Sequence, residues 1–585
     1  MCGIIGATSG TRKETESALQ VFRYRGPDAL GFFEQDGVVL GHARLSIIDL
    51  DARSNQPFFD EQHEIGVVFN GEIYNYKELR TELEREHKIR FRTDSDTEVL
   101  VYAYRVWGER ALPRLRGMFA FCVYDLRSGT LFLARDHAGI KPLYYSLEHG
   151  RVAFASELKG VVALVRGSGI SIEMDSEAIG WYTVFGYVPS PKTLVKGISK
   201  LERGSWLRYD LTTKKEVRGV WRPETRAITT RPELETAIKR SILEHCVADV
   251  PVGTFFSGGV DSSLIAAVLH ESGADLETFS IRVSGRPADE HYFTEIAKLL
   301  GVKTHVADFG VKEFDSMYDD LLSLVDDPIA DTSLFPTALV ARLAAKKVKV
   351  VLSGEGGDEL FLGYPRVLRV GRMRDSALAY SEVVDSVFFG MPAFRGKNRV
   401  FSSIASGLNL PASYYLLQTS PARDLSPSRA WRRAEEGLSS GDPYWYDRDW
   451  YLENMLLRKT DMATSYASIE GRVPLLGAEL WNAAPAFVKE NVVGGTGKKI
   501  LKDMLAGYIP KELIERPKSG FGISIEAIFR DSKKASPGLH EALCALRDIG
   551  IMVDAGKEEL LKVRYPMYGF GLVMLHRALK NLGII

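Results

Sequence analysis

Apolar residues in the first part of the chain occur in short runs that alternate with polar and turn-forming residues. Over roughly the first 210 residues, apolar and β-branched runs are interrupted by Gly, Asn and Asp, which predicts β-strands. The clearest runs are GVVLGHARLSIIDL, IGVVFNGEIYNY, GMFAFCVYDLRSGTLFLARD and RVAFASELKG. The segment DTEVLVYAYRVWG predicts a helix that ends at a Gly. Together these elements predict a layered α+β domain.

Strand-like and helix-like segments then alternate. The predicted strands are VPVGTFF, LETFSIRV, VKTHVADF and VKVVLSG, and the predicted helices are SSLIAAVLHES, HYFTEIAKLLG and LFPTALVARLAAKK. This order predicts an α/β parallel sheet covered by helices, with ligands bound at the carboxyl ends of its strands. The C-terminal part, from about residue 370, reads mainly as helices.

A polar, Pro-containing segment between Leu211 and Arg231 predicts the domain boundary. The sequence predicts a helix after this segment, because apolar residues recur every four positions and would lie on one helix face. Those residues are Leu234, Ile238, Ile242 and Cys246. We therefore expect a first domain over residues 1–212 and a second over residues 230–585.

Composition narrows the class of protein. The chain has 585 residues and a net charge of −1, which gives no argument for a nucleic acid or an anionic membrane as partner. Its four cysteines form no CxxC pair, so neither a zinc site nor a disulfide framework is predicted. The start MCGIIGATSG lacks the pattern of a signal peptide, and no apolar run reaches the ~18 residues that a membrane span needs. A cytoplasmic location is the expectation.

The stretch FFSGGVDSSL reads as a strand, a glycine turn and the start of a helix. Gly258 and Gly259 let the backbone approach a ligand, and the helix N-terminus suits an anion. Ser262 and Ser263 add hydroxyl donors. The segment predicts a phosphate-binding loop without the lysine of a P-loop, although a tight turn with serine caps is the alternative.

The stretch VVLSGEGGDELFLGY also runs from a buried strand into a Gly-rich loop. It carries Glu355, Asp358 and Glu359, which could form only a solvated acidic turn. Next to the first loop, however, Asp358 and Asp261 are predicted to lie on neighbouring strand ends and to share a Mg²⁺ bound to phosphate oxygens.

Cys2 directly follows the initiator Met. Removal of Met1 would leave a cysteine whose own α-amine can act as base for its thiol. A chance cysteine at this position is the alternative.

Ordered motifs resemble two enzyme families. CGIIG, YRGPD, GHARLSIID, FNGEIYN and SDTE resemble the class II glutamine amidotransferase domain, an N-terminal nucleophile fold of four αββα layers. SGGVDSS resembles the pyrophosphate loop of ATP pyrophosphatases. Their order resembles the glutamine-dependent asparagine synthetase family. Matching segments downstream are DDPIADTSLFPTALVARLA, KTDMATSYASIEGRVPLL and GKKILKDMLAGYIPKELIERPKSGFG.

The resemblance implies a glutaminase site in the first domain. Cys2 would attack the glutamine amide, with Asn70 and the Gly71 N–H as the oxyanion hole. Arg44 would pair with the glutamine α-carboxylate, and two acidic residues would hold the α-amine. The implied glutamine-binding residues are Arg44, Ile47, Ile48, Asn70, Gly71, Glu72 and Asp96. As alternatives, Asn70 and Gly71 could form only a hairpin turn, and Arg44 and Asp96 could be surface charges.

The resemblance also implies a synthetase site. The implied ATP-binding residues are Phe256, Ser257, Gly258, Gly259, Asp261, Ser262, Ser263, Ile281, Ser353 and Gly354. Glu355 would take the proton from ammonia, and Lys518 would neutralise charge on the phosphate and the tetrahedral oxygen. Asp261 and Asp358 would be the Mg²⁺ ligands.

The implied substrates are glutamine, ATP and a carboxylate acceptor, taken as aspartate, and a homodimer is the family expectation. Gly357, Gly477 and the segment TDMATSYAS depart from the usual family pattern in the acceptor half. An enzyme that amidates a sugar acid or a peptide side chain is therefore the alternative.

Three further alternatives fit less well. Relatives that close β-lactam rings typically lack the cysteine, and glucosamine-6-phosphate synthase lacks the SGGVDSS loop. A non-catalytic binding protein would have lost nucleophile or phosphate-loop residues, which are present here.

Overall fold

The computed structural model of the chain describes residues 1–8, 10–284, 287–369, 438, 442–515, 524–551 and 558–585. Within these ranges the strands, in chain order, are β1 Gly3–Thr8, β2 Ala29–Gln35, β3 Val38–Arg44, β4 Phe58–Phe59, β5 Ile65–Ile73, β6 Gly117–Asp125, β7 Thr130–Arg135, β8 Tyr144–Ser146, β9 Ala153–Ala155, β10 Ile198–Lys200, β11 Ser205–Asp210, β12 Glu216–Val220, β13 Val252–Phe255, β14 Glu277–Val283, β15 Lys303–Phe309, β16 Val350–Leu352 and β17 Glu470–Arg472.

The α-helices of the first half are α1 Arg12–Gln20, α2 Tyr76–His87, α3 Asp96–Trp107, α4 Leu158–Gly167, α5 Ser176–Phe185, α6 Arg231–Glu244, α7 Val260–Glu271, α8 Pro287–Leu300, α9 Val311–Leu322, α10 Leu334–Ala344 and α11 Gly357–Leu360. A π-helix over Asp447–Leu457 continues into the C-terminal helices. These are α12 Arg458–Tyr466, α13 Ala478–Ala483, α14 Val488–Asn491, α15 Lys499–Leu505, α16 Lys511–Ile514, α17 Ile525–Asp531, α18 Ala535–Asp548, α19 Glu558–Val563 and α20 Pro566–Asn581.

The first domain contains two antiparallel sheets. Their strand orders are β10-β8-β9-β1-β3-β2 and β12-β11-β7-β6-β5-β4. Successive side chains of a strand point to opposite faces of its sheet, so each sheet has an apolar layer on both faces. In β1, Ile4 belongs to the apolar cluster between the two sheets, and Ile5 belongs to the cluster on the opposite face. Helices α1 and α4 pack on the first sheet, and α3 packs on the second, with α2 against α3. The predicted αββα order is confirmed.

The second domain contains a parallel sheet of five strands, in the order β15-β14-β13-β16-β17. Because β13 and β16 are neighbours, the loops that follow them lie side by side at the carboxyl edge of the sheet, where the strand order reverses. Helices α7, α8 and α10 pack against this sheet, and α12 packs against α10. The predicted α/β sheet with a helical C-terminal part is confirmed.

Two elements differ from the predictions. Strand β12 lies in the segment predicted as a linker, and it pairs with β11 as a mostly exposed edge strand, so its polar residues resemble a loop. Strand β17 has the sequence EGR and pairs with β16. These polar residues do not match the apolar pattern that predicts a strand. They can be buried because their charges neutralise one another. The domain limits at residues 212 and 230 remain predictions.

No helix in the ranges that the structure describes has the length and apolar character needed to cross a bilayer.

Buried charges join the two domains. Arg25 of the first domain pairs with Asp461 of the second at 2.8 Å and with Glu157 at 2.5 Å. Arg458 pairs with the same Glu157 at 3.2 Å and with Asp326 at 2.6 Å. The four carboxylate and guanidinium groups of Arg25, Arg458, Glu157 and Asp326 are almost fully buried. A charge in this position is stable only while its partner is present.

We expect Arg458→Met to lower the free energy of unfolding by about 3–5 kcal/mol, because it leaves the buried Asp326 without its guanidinium partner and Glu157 with Arg25 alone. Urea denaturation followed by circular dichroism measures the change. The control is Arg12→Met, which removes an exposed pair with Glu16 on α1 and should cost about 0.3–0.5 kcal/mol. Equal losses in the two variants would contradict the assignment.

Candidate functional site

Cys2 lies immediately before β1, which is an interior strand of the first sheet between β9 and β3. Its Sγ is 3.5 Å from the backbone N of Leu45 and 3.7 Å from the carbonyl oxygen of the same residue. Burial raises the pKa of the Cys2 thiol, and the positive amino terminus opposes this rise. Met1 is buried, and its amine donates to the carbonyl of Ile469 at 3.4 Å.

Asn70 and Gly71 lie within β5 and pair with β6, which excludes the hairpin-turn alternative. The Asn70 side chain is fully buried, yet neither its Oδ1 nor its Nδ2 has a hydrogen-bond partner within the described part of the chain. A buried amide without hydrogen bonds lowers the stability of the fold unless a bound ligand supplies the missing partners. At Gly71, a Cβ would lie 2.1 Å from the Met118 carbonyl oxygen, so no side chain fits there.

Arg44 ends β3 and is buried, so it is not a surface charge. Its guanidinium donates to the carbonyls of Asp51 at 2.9 Å and Ile48 at 3.2 Å, and to the Asn55 Oδ1 at 2.8 Å. These acceptors are neutral, and among the described residues no carboxylate forms an ion pair with Arg44. The positive charge of Arg44 is therefore held in a fixed position by neutral acceptors.

Ile47 and Ile48 are buried in the loop that follows β3. The carbonyl of Ile47 accepts a hydrogen bond from the Asp249 N–H at 2.9 Å, which attaches this loop to the second domain.

Glu72 and Asp96 are buried neighbours at the end of β5 and the start of α3. Burial raises the pKa of Asp96 to about 6, although the Ile73 N–H, 3.0 Å from its Oδ2, lowers it. Burial also raises the pKa of Glu72 well above its usual range, and Arg472 at 2.6 Å opposes this rise. Two adjoining carboxyl groups form an anionic recess that suits an ammonium group.

The phosphate-loop residues lie between β13 and α7, as predicted. The Ser262 hydroxyl accepts a hydrogen bond from the Ser257 N–H at 3.2 Å, and the Ser257 hydroxyl accepts one from the Gly259 N–H at 3.3 Å. Gly258 has a φ of +68°, a conformation that favours glycine. The Ser263 hydroxyl is buried without a partner among the described residues. Gly259 caps a 12-residue helix whose first N–H groups face this loop.

The predicted metal ligands Asp261 and Asp358 come together. The ammonium of Lys498 lies 2.5 Å from the Asp261 Oδ2 and 2.6 Å from the Asp358 Oδ1. Burial alone would lower the pKa of Lys498, but the two carboxylates raise it. Two carboxylate oxygens that face one cation position fit a Mg²⁺ that completes its coordination with phosphate oxygens.

Glycines keep the second loop close to Asp261. A Cβ at Gly354 would lie 2.9 Å from the Asp261 Cβ, and a Cβ at Gly357 would lie 2.5 Å from its Cγ. Gly357, where many family members have Ser, therefore belongs to the packing of Asp261.

Glu355 lies on the loop after β16, next to two residues of α12. The Thr460 hydroxyl donates to the Glu355 Oε1 at 3.1 Å, and the Lys459 ammonium is 3.8 Å from the same oxygen. The Ser353 hydroxyl donates to the other carboxylate oxygen. Lys459 also lies 3.8 Å from Asp331. The carboxylate is thus held at the carboxyl edge of the sheet by two hydroxyl donors and one ion pair.

The remaining predicted residues fall into two groups. Phe256, Ile281 and Ser353 are buried around the same edge of the sheet, and the Ser353 N–H donates to the Arg472 carbonyl at 2.8 Å. Lys518 lies outside the described residues.

Comparisons with known proteins agree with both halves. A model of the glutamine amidotransferase domain matches residues 1–221, and a model of asparagine synthase matches residues 233–548. The chain is 34% identical over 563 residues to "Asparagine synthetase [glutamine-hydrolyzing] 1" of Bacillus subtilis, which covers 90% of this chain and 87% of that protein. The chain belongs to the asparagine synthase family.

Two further relatives align over a shorter part of the chain. "Asparagine synthetase B [glutamine-hydrolyzing]" of Escherichia coli is 32% identical over 388 residues, which cover 62% of this chain and 65% of that protein. "Amidase chry2" of Gibberella zeae is 32% identical over 383 residues, which cover 60% and 55%. The resemblance inferred from the motifs is confirmed.

Gly477, the second departure from the family pattern, lies away from Glu355. A Cβ there would be 2.3 Å from the Ser241 Oγ of α6, and that hydroxyl donates to the Pro474 carbonyl at 2.6 Å. The glycine therefore permits α6 to pack closely.

Three residues were missed from the sequence: Lys459, Arg472 and Lys498. Each lies within a segment that matches the asparagine synthase family, but a lysine or arginine in such a segment does not reveal which distant carboxylate it meets.

We expect Lys498→Met to weaken Mg·ATP binding about tenfold, because the phosphates would lose the positive charge that the ammonium supplies beside Asp261 and Asp358. Isothermal titration calorimetry measures the dissociation constant. Lys502→Met, one turn further along α15, is the matched control and should bind like the wild type. Unchanged binding by Lys498→Met would contradict the assignment.

Proposed function

We propose that the chain is a glutamine-dependent asparagine synthetase. Glutamine is hydrolysed in the first domain, and ATP activates the aspartate side-chain carboxylate in the second. The observation that supports the proposal is the fully buried Asn70 amide, which has no hydrogen-bond partner among the described residues, in a chain that also brings Asp261 and Asp358 to one ammonium. A cytoplasmic location and a homodimer stay predictions.

The first step proposed uses Cys2 after removal of Met1. Its α-amine takes the thiol proton, and the sulfur attacks the amide carbon of glutamine. Asn70 and the Gly71 N–H stabilise the negative oxygen, which explains why a buried amide is kept without a partner. The α-ammonium returns this proton to the amide nitrogen, ammonia leaves as the carbon–nitrogen bond breaks, and water then hydrolyses the thioester to glutamate and regenerates the thiol.

Recognition of glutamine uses opposite charges at the two ends of the pocket. The Arg44 guanidinium receives the α-carboxylate, and the recess of Glu72 and Asp96 receives the α-ammonium. Ile47 and Ile48 line the side of the pocket.

The second step proposed forms an acyl-adenylate. An aspartate carboxylate oxygen attacks the α-phosphorus of ATP, and pyrophosphate leaves toward the loop of Ser257, Ser262 and Ser263. Mg²⁺, held by Asp261 and Asp358, would neutralise phosphate charge. Lys498 already supplies a positive charge at this position.

Amide formation is assigned to the surroundings of Glu355. Ammonia attacks the activated carbonyl, Glu355 takes a proton, and AMP leaves. Lys518 is proposed to neutralise the developing charge, by family resemblance alone.

Aspartate as the acceptor is supported by Lys459 and Asp331. Their ammonium and carboxylate are mostly buried beside Glu355, with 10% and 17% of the side chains exposed. These charges are complementary to the α-carboxylate and α-ammonium of an amino acid. A sugar acid would leave Asp331 without a cationic partner from the substrate.

An acceptor screen tests this proposal. With glutamine and Mg·ATP, we expect AMP and pyrophosphate only when aspartate is present, and not with glucuronate or a blocked peptide carboxylate. Cys2→Ala should lose glutamine-dependent turnover and keep turnover with ammonium chloride. Turnover that ignores aspartate would contradict the acceptor, and loss of both nitrogen sources in Cys2→Ala would contradict the division of labour.

We also expect the KM for glutamine to rise as the pH falls through about 6. The pKa of Asp96 is raised in the folded protein, so protonation in this range removes negative charge from the ammonium recess. Glutamate release at different pH values measures the effect. The KM for ATP is the internal control, and a glutamine KM that stays constant between pH 5 and pH 8 would contradict the assignment.

A further inference from the structure

Arg472 stands in an unusual place for a residue of the second domain. It ends β17, the edge strand of the parallel sheet, with no side-chain surface exposed. Its guanidinium nevertheless reaches Glu72 of the first domain, with 2.6 Å between Nη2 and Oε2. Glu72 is one of the two carboxylates proposed to hold the glutamine α-ammonium.

The guanidinium is fixed on all sides. Its Nε donates to the Glu470 Oε1 at 2.8 Å, and Nη1 donates to the carbonyls of His245 at 2.8 Å and Val247 at 2.7 Å. The group therefore has little freedom to turn, and its remaining nitrogen is directed at Glu72. A planar donor fork held in this way sets the orientation of the carboxylate it meets.

The charge of Arg472 also balances the recess. Glu72 and Asp96 are adjacent and buried, so two negative charges there would repel each other strongly. Arg472 is the cation that favours the ionised form of Glu72, as the direction of its influence on the pKa shows. Besides each other, the charged groups that act on Glu72, Asp96 and the neighbouring Tyr74 and Tyr76 are Asp94, Asp136, Asp249, Glu470 and Arg472. Arg472 is the positively charged member of that set.

We propose that Arg472 is a positioning residue of the glutamine site, supplied by the synthetase domain, which orients Glu72 and keeps the ammonium recess anionic. This inference rests on the proposed glutaminase activity. It makes the glutamine pocket incomplete without the second domain, because no part of residues 1–221 provides this cation in the structure described.

The same residue touches the synthetase loop. Its carbonyl accepts the Ser353 N–H, and the Ser353 hydroxyl donates to Glu355. A substitution of the Arg472 side chain leaves this backbone contact in place, so the effect on the two sites can be separated.

The test uses the full chain and three variants: Arg472→Met, Arg472→Lys and Glu453→Gln. Glu453→Gln is the matched control, because it breaks a buried pair between the domains, Glu453 with Arg135 at 2.6 Å, away from the glutamine pocket. Glutamate release is measured against glutamine concentration from pH 5 to pH 8. AMP formation with ammonium chloride is measured beside it.

For Arg472→Met we expect the KM for glutamine to rise about tenfold and the acid limb of kcat/KM to move about one unit toward higher pH, with ammonium-dependent turnover retained. Arg472→Lys keeps the charge but not the fork, so its acid limb should stay in place while the KM rises about threefold. Glu453→Gln should match the wild type in both.

Wild-type KM and pH profile in a folded Arg472→Met would overturn the inference, and so would an equal shift in Glu453→Gln. If Arg472→Met does not fold, Arg472→Lys decides, since a wild-type KM in that variant would also overturn it. A wild type that releases no glutamate at any pH would instead contradict the proposed function.

Discussion

Charge that is buried between two domains has to be neutralised by groups from both of them. Removal of a carboxylate or guanidinium from water costs on the order of several kcal/mol per ion. Only a close and well-oriented partner of opposite charge can offset this cost. Arg25 with Asp461, Arg135 with Glu453 and Arg472 with Glu72 are such partners, each formed across the domain boundary. Any other docking of the domains would leave these ions unpaired, so the pairs determine the relative position of the two pockets.

Strand β17 shows how a small element can serve both pockets. It has three residues, and its backbone adds one more strand to the parallel sheet. Glu470 acts electrostatically on Cys2, and Arg472 donates to Glu72 of the first domain. The strand therefore links the carboxyl edge of the parallel sheet with the proposed glutamine site.

The sequence predicted those strands and helices whose apolar pattern lies within the element itself. The apolar runs of β5, β6, β13 and β16 and the face of α6 appear in the structure, because burial of one face repeats along each element. Helix α9 was left out, although Phe314, Met317, Tyr318 and Leu321 have helical spacing and are buried. Strand β17 could not be predicted in this way, since its residues are polar and its position depends on partners far away in the chain.

The candidate site residues also fall into those that a local motif identifies and those that depend on distant partners. Motifs identified candidate groups that are close together in sequence, such as Ser257 to Ser263 after β13 and the Asn70-Gly71 pair within β5. They could not identify Lys498, whose partners Asp261 and Asp358 are more than a hundred residues away in sequence. Nor could they show that Gly477 packs against α6 and not against the acceptor pocket.

The position of the amino terminus constrains the order of events during maturation. The Met1 side chain is buried, and its amine is bonded to Ile469, a residue that the ribosome adds after most of the chain has been made. If Cys2 is the nucleophile, as proposed above, an aminopeptidase has to reach a free amino terminus to expose it. Under that proposal, Met1 is removed before the C-terminal half closes over the N-terminal half, and a chain that closes first would keep Met1 and could not use glutamine.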